Sequence, residues 1–187
     1  MKKRVIISLL ATVLLFTGCN TKGEIVKKKE EKLYFDFSHT EIVRHLEDKC
    51  FMKFTPIAVI DSKTEGEKIA TYTVETILYG TENVDELVHY QFYYNDTTKK
   101  VSYISFFLNR DALLAGNRYP HHIYSIVEYI NPDDENVKTG TLTPLIQEEF
   151  DKYDFAIYEG GNFELHASRS DDYFDASFRP IKDTKGE

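Results

Sequence analysis

From Leu87 to Tyr94 the chain places Tyr90, Phe92 and Tyr94 on every second position, with His89 and Gln91 between them. A repeat of two belongs to an extended strand, where successive side chains point to opposite faces; a helix would scatter these rings around its circumference. The same alternation recurs elsewhere. Lys68 to Tyr79 sets Ala70, Tyr72, Val74 and Leu78 against Thr71, Thr73 and Glu75, and Val101 to Leu108 puts Ile104, Phe106 and Leu108 on one face. Pro56 to Ile60 is a shorter apolar run. The turn-rich segments SKTEGEK, YGTEN and NDTTKK separate these runs, so they read as an antiparallel meander with one apolar face that needs a cover. Near the carboxyl end the pattern returns: Phe155 and Ile157, then Phe163, Leu165 and Ala167, then Phe174, Ala176 and Phe178 alternate with polar residues.

Helical segments supply the cover. In FDFSHTEIVRHLEDKC, Ser38 is an N-cap, Glu41 closes a capping box, and Phe37 and Ile42 stand at staple positions. Ile42, Leu46 and Cys50 then recur at helical spacing, leaving Arg44, Glu47 and Asp48 on the wet side. A short turn is expected from Asp111 to Ala115. Pro120 opens a second helix with Ile123, Ile126, Val127 and Ile130 on one stripe, stopped by Asn131-Pro132. Thr143-Pro144 opens another, with Ile146, Phe150 and Tyr153 inward, and NPDDENVKTGT between them reads as a solvent loop. The expected class is α+β: an antiparallel sheet covered by helices, whose order suggests two similar helix-plus-meander units.

The first residues carry a different message. Lys2, Lys3 and Arg4 precede an uncharged, mostly apolar run from Val5 to Phe16, followed by Thr17, Gly18 and Cys19. Twelve helical residues span only about 18 Å, too short for the roughly 30 Å hydrocarbon core, so the layout is that of an export signal. Phe16-Thr17-Gly18-Cys19 resembles the lipobox of bacterial lipoproteins, with Phe16 where that family usually has leucine. The resemblance implies that residues 1–18 are a signal peptide, that the Cys19 sulfur receives a diacylglycerol, and that the protein is held at the extracytoplasmic face of a cell membrane. Two acyl chains suffice for stable anchoring, whereas one is marginal. Residues 19–32, polar and free of aromatic rings, read as a tether. Residues 33–187 read as one α+β domain, and every Phe and Tyr except Phe16 lies in it.

The full chain carries a formal charge of −8, and loss of the leader leaves 20 basic against 31 acidic residues. Such a chain is repelled by nucleic acid and by anionic head groups, so the lipid and not a basic patch must hold it at the membrane. With Cys19 acylated, Cys50 has no disulfide partner and reads as a small buried hydrophobe.

Chemistry is sparse. His39, Glu41 and His45 lie within two turns of the first helix, a donor set suited to a zinc ion, although Glu and His at this spacing also pair on ordinary solvated helices. His121-His122 reads as a surface or capping pair, and Asp133-Asp134-Glu135 and Asp171-Asp172 as solvated turns without the ligand spacing of a calcium loop. No GxSxG, HExxH or CxxC occurs, and no cofactor signature is found. Tyrosine is more abundant than a core needs, and Tyr93 and Tyr103 fall on the strand face opposite the main apolar rows, where rings offer rigid contact area to a ligand. The expectation is a membrane-anchored, non-enzymatic binding module for a protein, peptide or small ligand, with a metal-binding lipoprotein built on His39, Glu41 and His45 as the alternative. Substituting Cys19→Ala is expected to abolish incorporation of labelled fatty acid and to release the chain from the membrane fraction. Retention of both would refute the lipobox reading.

Overall fold

The computed structural model describes residues 32–50, 52–76, 88–109 and 119–182, which belong to one unit beginning at Lys32. The leader, Cys19, the tether up to Glu31 and the turn expected at Asp111 to Ala115 lie outside the described residues. Seven strands, β1 (Met52–Asp61), β2 (Glu67–Thr76), β3 (Val88–Asn95), β4 (Val101–Asn109), β5 (Phe155–Glu159), β6 (Phe163–Arg169) and β7 (Tyr173–Pro180), form one sheet in the order β1-β2-β3-β4-β7-β6-β5. Every neighbouring pair is antiparallel. Four helices are described: α1 (His39–Cys50), α2 (Tyr119–Ile130), α3 (Glu135–Lys138) and α4 (Leu142–Tyr153).

The two meanders meet back to back. Each begins at an outer edge, after a helix that packs against that edge strand, and works inward until β4 pairs with β7 at the middle. The α+β class and the helix-then-meander order are those of the sequence pattern. The inward rows are also as the alternation predicts: Tyr90, Phe92, Ile104, Phe106, Leu108, Phe163, Leu165, Phe174 and Phe178 are buried, together with Ile42, Leu46 and Cys50 of α1.

Local chemistry explains the element ends. The Glu41 backbone N–H donates to Ser38 Oγ at 3.3 Å, and the Ser38 N–H donates to Glu41 Oε2 at 2.7 Å, which is the reciprocal capping box. The Ser38 N–H and the Ser38 hydroxyl, both donating to Glu41 Oε2, hold that carboxyl below its usual range. Pro120 sits in the first turn of α2, where a missing N–H costs nothing. Asp154 ends α4 in the left-handed region with φ 56°, its N–H donating to Phe150 O at 3.2 Å.

Several expectations are corrected. Phe155 and Ile157 hold the apolar positions of their alternation, yet both are exposed, because Ala156 is the buried residue of the edge strand β5. Tyr153 is 58% exposed and does not join Ile146 and Phe150 inside. β1 begins at Met52, earlier than the apolar run suggests, and its second half emerges from cover, leaving Ile57, Val59 and Ile60 exposed along an edge. Pro56 is tolerated there because an edge strand needs only one side of its ladder.

The loop NPDDENVKTGT is not simply solvated. Asp134 is buried and accepts from the backbone N–H of Asn136 at 2.9 Å and of Val137 at 3.3 Å, capping α3. The Tyr158 hydroxyl lies 2.7 Å from both Asp134 carboxylate oxygens, and burial with this carboxylate pushes its pKa up to about 12.

The amino end of the unit is pinned through Glu67. Burial alone would raise the pKa of this carboxyl, yet hydrogen bonds from Lys32, Ser102 and Ser62 outweigh it and leave the group below its usual range. Backbone bonds from Phe35 N–H to Val101 O and from Val101 N–H to Phe37 O, at 2.8 and 3.0 Å, lay the following segment beside β4.

His122, expected at the surface, is fully buried between sheet and helices. Its Nδ1 lies 2.8 Å from the Tyr90 hydroxyl, itself inaccessible, and the ring packs against Phe106 at 5.4 Å. Burial, reinforced by neighbouring His121, lowers its pKa to about 3. A histidine depressed in the folded state stabilises fully above its unfolded pKa of about 6.5 and loses that contribution as pH falls towards 3. Urea unfolding at pH 7 and pH 4.5 should therefore show an acid loss of roughly 2–3 kcal/mol from this group. In His122→Leu that increment should disappear whatever the variant's stability at pH 7.

Candidate functional site

The helices pack on one side of the sheet, where they contact Tyr90, Phe92, Tyr94, Phe106 and Phe174 of the buried rows; Tyr153, at the end of α4, reaches only Phe155 at the β5 edge on the other side. Among the described residues nothing covers the other side. Register shows what stands there. Thr71 pairs with Gln91, Gln91 with Ser105, Ser105 with Ser177 and Ser177 with His166, making a polar row that crosses five neighbouring strands. At about 4.8 Å between strands the row is roughly 19 Å long.

Aromatic pairs flank this row. On one side Tyr93 and Tyr103 are cross-strand partners whose rings meet edge to face, 5.3 Å apart at 88°. On the other, Phe107 and Tyr173 stack 5.9 Å apart at 23°, both about 40% exposed. Between them lies a shallow groove of about 320 Å³, floored by Gln91, Ser105 and Ser177 and bounded by His89, Tyr103 and Phe107. The floor is low because serine side chains are short.

Asp175 is the single carboxylate in the groove lining, and the Ser168 hydroxyl donates to it at 2.6 Å. Farther along the face Glu164 accepts from His166 and from Arg179, the latter through Nε at 2.8 Å. The His166 contact above all holds the Glu164 carboxyl below its usual range, against the opposing effect of burial and with help from Arg179. The face thus offers hydroxyl, amide and imidazole groups framed by rings, which can bind a ligand. No nucleophile with an adjacent oriented base stands in the groove lining.

Sequence reading places Tyr93 and Tyr103 on this face, and the structure brings them into contact. It misses Gln91, Ser105 and Ser177, which in the sequence are only the polar alternates of three strands. Nothing local announces that they share a row, because registry between β4 and β7 joins residues more than 70 positions apart.

His39, Glu41 and His45 are not brought together. The His39 ring stacks on Tyr94 at 4.5 Å and is desolvated, which lowers its pKa, with Lys99 adding to the shift. His45 packs on Tyr129 of α2 at 4.7 Å, and Glu41 is engaged with Ser38. His39 Nδ1 and His45 Nε2 are buried without a hydrogen-bond partner, yet no group of three His, Cys, Asp or Glu side chains among the described residues could hold a metal ion. Of the remaining histidines, His121 reaches Cys50 O at 3.0 Å and His89 lies in the groove.

The tyrosine pair offers a direct check. An edge-to-face pair contributes about 0.5–1.5 kcal/mol beyond its buried area, so a double-mutant cycle of Tyr93→Ala and Tyr103→Ala in urea should return a coupling of that size. Zero coupling would remove the pair from the face described here. Compared with family models, with curated proteins and with solved structures, the chain matches none, and its own geometry must carry the functional reading.

Proposed function

We propose that this chain is a membrane-anchored extracytoplasmic binding module, tethered by a lipid on Cys19, that takes its ligand on the open face of the sheet. The observation that carries the reading is the one-sided architecture: a polar row framed by two aromatic pairs has no cover among the described residues. A buried sheet face is apolar throughout, and a merely solvated one has no need of four rings flanking a groove. The mature charge, strongly negative, turns nucleic acid away and leaves attachment to the acyl chains. No helix among the described residues is long and apolar enough to cross a membrane, so attachment in this reading rests on Cys19.

The test uses a photoreactive benzophenone side chain, which inserts into C–H bonds of whatever lies against it. Placed at Gln91 of the full chain in cells, it should give mass-shifted adducts that Ser105→Trp suppresses by filling the groove. The same group at Lys49, on the exposed side of α1, should give few. Equal labelling at the two positions, or labelling at Gln91 indifferent to Ser105→Trp, would overturn the assignment of the face.

A further inference from the structure

The groove has a shape and a chemistry that discriminate among ligands, and we infer that it takes a neutral or amino-bearing oligosaccharide, laid along the polar row between the two aromatic pairs. This rests on the open face being the binding face and names its ligand class.

Three observations lead there. The first is what the groove lacks. β3, β4 and β7, which form it, are each paired on both sides, so their backbone N–H and C=O groups are already used within the sheet. An extended peptide read through its main chain needs a free sheet edge, and the edges here are β1 and β5, at the far ends of the sheet. The groove must recognise its ligand through side chains alone.

The second is what those side chains are. Gln91, Ser105, Ser177 and His89 present hydroxyl, amide and imidazole groups, each able to donate or accept. A sugar hydroxyl is likewise donor and acceptor, so a floor of such groups can satisfy a run of hydroxyls without burying an unpaired charge. Short serines let a flat ring settle close to the strands. The flanking rings supply the apolar half of the recognition: a pyranose ring exposes a face of C–H bonds, slightly positive, which lies well on the negative face of an aromatic ring. Tyr103 and Phe107 stand on the same strand on either side of Ser105, four residues and about 14 Å apart at the backbone, with their rings narrowing the space between. That interval suits one extended chain lying across the strands.

The third is charge. The groove lining holds Asp175 and no lysine or arginine, on a chain whose formal charge is −8. Carboxylated or sulfated glycans would approach against this field and find no cation in the groove to pair with, whereas a neutral sugar is unaffected and an amino group has Asp175 as partner.

The experiment is calorimetric titration of the full-length chain in detergent with tetra-N-acetylchitotetraose, its amino-bearing counterpart chitotetraose, and cellotetraose, with a heparin-derived tetrasaccharide and a pool of extended peptides as comparators. At least one neutral or amino-bearing tetrasaccharide should bind; Ser105→Trp should abolish that binding, and Tyr103→Ala and Phe107→Ala should each weaken it tenfold or more. Circular dichroism confirms that the variants are folded, and Ser105→Ala, which removes one hydroxyl without filling the groove, should weaken binding only a few fold. Binding confined to the heparin fragment or to peptides, or binding of neutral or amino-bearing sugars that the groove variants leave unchanged, would overturn the inference. Absence of tetrasaccharide binding while Gln91 still gives groove-dependent photoadducts would overturn the glycan assignment and leave the binding face standing. Absence of both would remove the two together.

Discussion

The structure depends on the burial of one continuous aromatic surface. Tyr90, Phe92, Phe106, Phe174 and Phe178 line the inner side of the three central strands β3, β4 and β7, and each is essentially inaccessible. Fully burying such side chains contributes about 1.5–3 kcal/mol apiece, enough to dictate that all the helical mass goes to that side. The contact within it between Tyr90 and His122 Nδ1 satisfies a hydroxyl that would otherwise be costly to bury. With the helices committed to one side, the opposite side is left free to carry function.

That division also organises the polar chemistry. Carboxylates that are held in place serve the frame: Glu41 closes a capping box, Asp134 caps α3 and receives Tyr158, and Glu67 gathers the first described residue to the sheet. The histidines of α1 pack on aromatic neighbours, Tyr94 and Tyr129. The open face differs in kind. Its groups are mostly neutral, the strands that form its groove are paired on both sides, and its rings stand in couples beside that groove. The proposed ligand class follows from that difference, as does the choice of the face over the edges, even though β1 leaves Ile57, Val59 and Ile60 exposed.

Much of the fold was legible because it is written in local periodicity. Alternation at Tyr90, Phe92 and Tyr94 or at Phe174, Ala176 and Phe178 states both strand and buried face, since no other backbone repeats every two residues. Where it misled, the reason was position in the sheet. Phe155 and Ile157 alternate correctly but lie on an edge strand, whose small buried residue is Ala156, and large side chains at an edge need not point inward. His122 looked like a surface residue because its type usually is one, and the Tyr90 hydroxyl opposite helps to make its burial tolerable.

By itself the sequence determined the element types, the inward rows, the capping box at Ser38 and Glu41, and the expectation of a leader ending just before Cys19, because each depends on residues within a few positions of one another. Tertiary structure decided which strands are neighbours and hence what the open face is. Pairing β4 with β7 sets Ser105 beside Ser177 and Phe107 beside Asp175, across a gap in the chain that no local pattern spans. A row of hydrogen-bonding groups crossing five strands is a property of registry, and registry is settled only when the two meanders close on a common core.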